Sequence, residues 1–204
     1  MIRTVLACVL LAFGGYAGAA WLTHDFQVWT AEGARRLEVA LAPVAAPDVR
    51  IEGPTVAQQP LPLLLGDGRT VTIVDFVYTR CETVCLSLGG TFQQLQAALG
   101  EGGHVRLLSV SFDARDGTAD LRAYASRLHA DAQRWTFVRA VDSVQTPRLL
   151  QAFQVTVVPA GRGDFEHNAA LLVVDQRGRL VRVFDIAEQQ LALDYARHLA
   201  GDAR

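Results

Sequence analysis

The chain has 204 residues, 19 arginines and no lysine against 21 acidic residues, and a formal charge of −2. That length suits one domain with an appendage and can bury a core without covalent staples. The near-neutral balance excludes the basic field that nucleic-acid binding requires, and three cysteines do not make a disulfide framework.

Arg3 precedes an uncharged apolar run from Val5 to Leu22, about long enough to span a bilayer core. Trp21 and Trp29 stand where an aromatic belt would lie. The run predicts a membrane anchor over residues 1–22, with a cleaved signal as the competing reading because Ala17–Ala19 resembles a small-residue cleavage site. On either reading the rest is exported, with a bacterial periplasmic face expected, and Cys8 is a lipid-facing residue without chemistry. Residues 23–48 mix alanine and charge, end in prolines, and read as a membrane-proximal spacer.

From Val49 to residue 204 the pattern is that of a folded domain. An apolar run at Leu61–Leu65, a Gly-Asp-Gly turn and a β-rich run over 70–78 predict a hairpin feeding a buried strand. Leu88, Phe92, Leu95 and Leu99 predict a helix over 87–99. A buried strand at 104–112 follows, then a helix over 118–128 capped at Thr118. Residues 135–141 read as extended and 143–153 as helical. Residues 169–175 and 180–184 form a closing hairpin, and 187–200 an amphipathic helix. Strands alternating with helices predict an α/β fold, a central sheet covered on both faces, with the strands at 70–78 and 105–112 parallel and linked by a right-handed crossover. Cys81 and Cys85 then fall where a strand gives way to a helix, the end of such sheets where ligands gather. A helix N-terminus there favours thiolates.

Positions i and i+4 share one face of a helical turn, so both sulfurs can address one spot. The spacing is wider than in thioredoxin-type redox motifs, yet a disulfide closes if the Cα atoms approach to about 4.4–6.8 Å. It also suits two thiolates on one soft ion: Cu(I), zinc or an iron–sulfur cluster. Two cysteines cannot complete a tetrahedral site. Of the five histidines, His24, His104, His129 and His198 read as surface residues. His167 precedes a buried strand and meets the cysteine loop if the two strands are neighbours; otherwise it is a loop histidine.

The segments "VDFVYTRCETVC", "LLSVSFDARDGTADLRAYA" and "VVPAGRGDFEHNAALLVVDQRGRLVRVF", with the N-terminal anchor, resemble the Sco/SenC family over roughly residues 50–204. The resemblance implies a thioredoxin-like fold, a mixed central sheet with helices on both faces behind an N-terminal transmembrane helix. It implies one copper ion per chain, held by Cys81, Cys85 and His167, and a role in cytochrome c oxidase assembly. The implied partner is a copper-accepting subunit of that oxidase or another periplasmic copper protein. The implied location is the bacterial inner membrane, single-pass, facing the periplasm. The chain departs from the family at Leu86, where proline is usual after the second cysteine, and at Glu166-His167-Asn168, where Asp-His-Ser is frequent.

Asp75 interrupts an apolar strand six residues before Cys81, an offset at which thioredoxins carry a buried carboxylate. It is either a buried proton relay to Cys85 or a hydrogen-bonded or solvated residue on the far face. Asp113 reads as a turn residue or as a group behind the copper ligands. Two functions remain open: a copper metallochaperone using Cys81, Cys85 and His167, and a thiol–disulfide reductase cycling Cys81 and Cys85 with Asp75. A peroxide reductase built on Cys81 with Thr79 and Arg80 is the weakest reading, since the wider motif does not match one.

Overall fold

The computed structural model describes residues 2–80, 84–100, 103–161 and 163–202, the side chains of residues 84–87 lying outside that description. Helix α1 (Ile2–Leu22) is uncharged after Arg3, has no buried residue, and is long and apolar enough to cross a membrane. Helix α2 (Ala31–Leu41) starts at Thr30, whose hydroxyl accepts the Gly33 N–H at 3.0 Å. Short strands β1 (Val44–Ala45), β2 (Arg50–Glu52) and β3 (Gln59–Pro60) follow.

The central strands are β4 (Val71–Val77), β5 (Val105–Ser111) and β6 (Trp135–Ala140), all parallel, with Val71 opposite Val105 and Leu107 opposite Trp135. All seven residues of β4 are buried, as a strand covered on both faces requires. Strand β9 (Leu171–Val174) joins β4 antiparallel, and β10 (Arg179–Phe184) returns beside β9. The sheet runs β1-β10-β9-β4-β5-β6-β2-β3. A separate hairpin pairs β7 (Val157–Gly161) with β8 (Asp164–His167).

Alternation along the strands sends side chains to two cores. On one face α2, α3 (Leu61–Leu65) and α6 (Thr146–Ala152) supply Val39, Leu61, Leu65 and Leu149 to Val74, Phe76, Leu108 and Val110. On the other, α4 (Val84–Ala98), α5 (Thr118–Arg127) and α7 (Gln189–Ala200) cover Val71, Ile73, Val77 and Leu107 with Leu88, Phe92, Leu121 and Leu193.

Three expectations change. Leu61–Leu65 is a helical turn, not a strand: Pro62 suits its first turn and Leu61 and Leu65, four apart, face the core together. The second helix of the domain is capped one residue earlier, at Gly117, whose N–H donates to the Asp120 carboxylate at 2.7 Å. Residues 30–45, read as part of a spacer, carry α2 and β1, both packed on β10.

Candidate metal and thiol site

The carboxyl ends of β4 and β5 meet the β7–β8 hairpin. Residues leading out of β4 are tied down before the first cysteine. The buried Asp116 carboxylate accepts the Thr79 N–H at 2.9 Å, the Thr79 hydroxyl at 2.7 Å and the Ser111 hydroxyl at 2.6 Å. Arg127 donates to the Thr79 carbonyl at 3.0 Å, and Arg80 to Asp113 at 3.0 Å. Thr79 and Arg80 are thus engaged with Asp116, Arg127 and Asp113, which gives the peroxide-reductase reading no support. Cys81 itself, with Glu82 and Thr83, lies outside the described residues. Cys85 is the second residue of α4.

His167 ends β8. Strand alternation turns Phe165 and His167 inward and Asp164 and Glu166 to solvent, so Glu166 does not orient the imidazole. The ring sits edge-on to Phe112, 5.3 Å between centroids, and Phe112 and Phe165 both pack on Tyr78, the residue after β4. An aromatic cluster therefore places the histidine beside the strand that feeds the cysteines. Both ring nitrogens are buried without a hydrogen-bond partner, and burial pushes the imidazole below its ordinary pKa. A neutral imidazole with two unmet nitrogens is the state in which histidine binds a metal. The other histidines are elsewhere: His104 is paired with Asp202 ahead of β5, His129 follows α5, His198 lies on α7, and His24 is 3.8 Å from Glu38 near α2.

The hairpin is strapped to the sheet by a residue the sequence did not single out. Arg115 donates to the Asp113 carboxylate at 2.7 Å and to the Gly163 carbonyl at 2.6 Å, and its guanidinium lies 5.7 Å from the Phe165 ring centre. Gly163 has φ +87°, and a Cβ there would meet Arg115 at 2.5 Å, so glycine answers both the backbone and the close approach. Burial works against ionisation of Asp113, but hydrogen bonds from Arg115 and Arg80 outweigh it and hold the carboxyl below its ordinary pKa. Asp113 thus holds Arg80 and the Arg115 strap together. At the hairpin base, Asn168 accepts the Thr156 N–H at 2.7 Å and donates to the Gln154 carbonyl at 3.2 Å.

Asp75 is fully buried. It shares the β4 face of Ile73 and Val77, the face that α4 covers. Neither carboxylate oxygen has a hydrogen-bond partner. Ser109, opposite it on β5, accepts the Trp135 indole N–H at 2.8 Å, and its nearby hydroxyl offsets less of the cost of ionising Asp75 than burial imposes. Burial dominates and raises its pKa to about 8.

A parallel-cored sheet covered on both faces, with a cysteine loop at the β4-to-α4 junction, defines a thioredoxin-like α/β protein. The sequence profile described as SCO1/SenC matches residues 67–199, and the chain belongs to that family. It is 25% identical over 122 residues to the SCO1 protein homolog of Bacillus subtilis, which is 58% of this chain and 63% of that protein, less than two thirds of its length. A solved structure of Bradyrhizobium japonicum ScoI with copper bound superposes with a TM-score of 0.63 at 20% identity, over 76% of this chain and 99% of that one. BsSco, a member of the Sco family of cytochrome c oxidase assembly proteins with an identified disulfide switch, gives 0.67 at 19% identity, over 78% and 95%.

Proposed function

We propose that Cys81, Cys85 and His167 hold one copper ion as cargo, and that the protein hands it to a copper-accepting subunit of cytochrome c oxidase or another copper protein outside the bacterial inner membrane. The observation that carries this reading is half-buried His167, its neutral ring having both nitrogens buried and without a partner, beside the strand end that leads to the cysteines. Copper in a ScoI structure and oxidase assembly in the description of BsSco support it. Two thiolates and an imidazole suit Cu(I), and the resulting negative charge is favoured at the start of α4. In this reading residues 1–22 remain as a single-pass anchor and residues 49–204 carry the site. Copper analysis of the full chain, purified in detergent, reduced and without oxygen, tests it: one copper per folded chain is expected, and none would refute it.

Asp75 favours a second reading, thiol–disulfide reduction. A thiolate of the pair attacks a partner's disulfide, and the partner sulfur it displaces takes a proton. The second thiol gives its proton to the Asp75 carboxylate and attacks the mixed disulfide; Cys81–Cys85 closes, the bond to the partner breaks, and the sulfur released takes the proton back from Asp75, leaving the partner with two thiols. Asp75 lies on the face under α4 with a pKa raised to about 8 by burial, suited to such a transfer near neutral pH. Turnover of a model disulfide by wild type and by Asp75→Asn separates the readings: a slower variant supports the relay, and equal rates remove it.

A further inference from the structure

The direction of α2 determines which end of the sheet is nearest the membrane. Thr30 and Gly33, at its start, lie toward the carboxyl end of β10, where Arg36 meets Glu188 at 3.0 Å and Asp185 at 3.5 Å. At its other end the chain enters β1, which pairs with Leu180 and Arg179 at the start of β10. Strand β10 runs parallel to β4, since each is antiparallel to β9. The chain coming from α1 therefore joins the folded unit at the carboxyl end of β4, the end that bears the cysteine loop and His167.

The join is short and anchored on both sides. Residues 23–29 are seven residues and can reach at most about 25 Å if fully extended. They are not extended: the Asp25 N–H donates to Ala20, and the Gln27 and Val28 N–H groups donate to Thr23. On the domain side, Arg35 is buried and donates to the Phe153 carbonyl at 3.1 Å, while Val39 is wholly buried. Next to the join, α2, the end of β10 and α7 line an open groove of about 630 Å³ with Val28, Leu37, Phe184 and Tyr195 among its walls. Leu191 on its rim is 59% exposed and Trp29 is 73% exposed, and the Trp29 ring packs on Phe26, which packs on Tyr16 of the candidate membrane span.

We propose that the domain is held with the carboxyl-end face of its sheet toward the lipid surface, and that Trp29, Leu191 and the groove between them rest on that surface. Tryptophan and leucine beside a spanning helix suit the headgroup boundary. The site then works within a few nanometres of the bilayer, facing acceptors that project little from the membrane. This rests on the anchor reading, α1 remaining attached, and is independent of the copper ligands.

Energy transfer to lipid tests it. In the full chain with Cys8, Cys81 and Cys85 replaced by serine, a single donor fluorophore is placed at Val158→Cys or at Leu63→Cys, and the protein is reconstituted in phosphatidylcholine vesicles carrying a headgroup acceptor. Val158 is on the site hairpin and Leu63 on α3 at the opposite end, and both are exposed. Transfer from Val158 should be roughly two-fold or more that from Leu63, because the seven residues of β4 alone separate the two ends by more than about 20 Å. Val144→Cys, 81% exposed after β6, gives a second site-end label where Val158→Cys disturbs the hairpin, and circular dichroism confirms folding. Equal transfer, or more from Leu63, overturns the proposal. So does an intact mass lacking α1, and in that case the anchor reading is what failed. Copper uptake by the wild-type chain is unaffected by either result.

Discussion

At the scale of single residues, Asp75 carries a measurable consequence. An ordinary aspartate ionises near pH 4, whereas burial raises this one to about 8. Between those values the folded chain holds a proton that the unfolded chain has released, so stability falls as pH rises through the window. One such proton changes stability by up to about 1.4 kcal/mol per pH unit. Asp75→Asn removes the titration. Urea unfolding at pH 5 and pH 7.5 should show wild type losing on the order of 2–3 kcal/mol relative to the variant; parallel losses would mean that Asp75 ionises normally. Its position in the strand could be read from the sequence, since it breaks an apolar run. Its burial could not, because an aspartate on either face of a strand leaves the same pattern. The fates of Asp113 and Glu166 were hidden for a similar reason: their roles depend on Arg115 and on the pleat of a strand four residues long.

At the scale of elements, the β7–β8 hairpin decides where His167 points. Its inner face is held by aromatic packing and its turn by Arg115. Arg115→Ala removes two charge-assisted hydrogen-bonded contacts, and amide exchange over Val157–His167 should accelerate by about tenfold, the equivalent of one net hydrogen bond. Protection of β4 and β5 should be unchanged. Arg115→Lys should restore only part of the effect, since an ammonium cannot span both acceptors with a planar fork. Unaltered exchange in Arg115→Ala would show that the aromatic cluster alone holds the hairpin. The longer elements were legible because their periodicity runs over many residues, as in Leu88, Phe92, Leu95 and Leu99. The hairpin was not, since Asp-Phe-Glu-His is too short for its alternation to stand out. Leu61–Leu65 misled because five apolar residues suit a strand or a helical turn alike.

At the scale of the molecule, the folded unit begins before Val49. Val39 is wholly buried and β1 extends the sheet beside β10, so a fragment starting at Val49 lacks both and uncovers the core and strand edge they pack on. A fragment starting at Thr30 should unfold at higher denaturant than one starting at Val49, and Val39→Ala in the longer fragment should cost on the order of 2 kcal/mol. Equal midpoints would mean that α2 adds nothing to the domain. The alanines and terminal prolines of residues 23–48 masked this, because α2 has one turn-spaced buried pair, Arg35 and Val39, and one member is charged. The copper assignment joins three residues from two distant parts of the chain, and copper affinity of the reduced full chain, wild type against His167→Ala, tests it most directly. Wild type should bind one copper per chain. His167→Ala should bind more than about 100-fold more weakly, beyond the loss expected for groups that only support a ligand, while mild oxidation still closes Cys81 to Cys85. Undiminished copper affinity in His167→Ala would contradict the assignment.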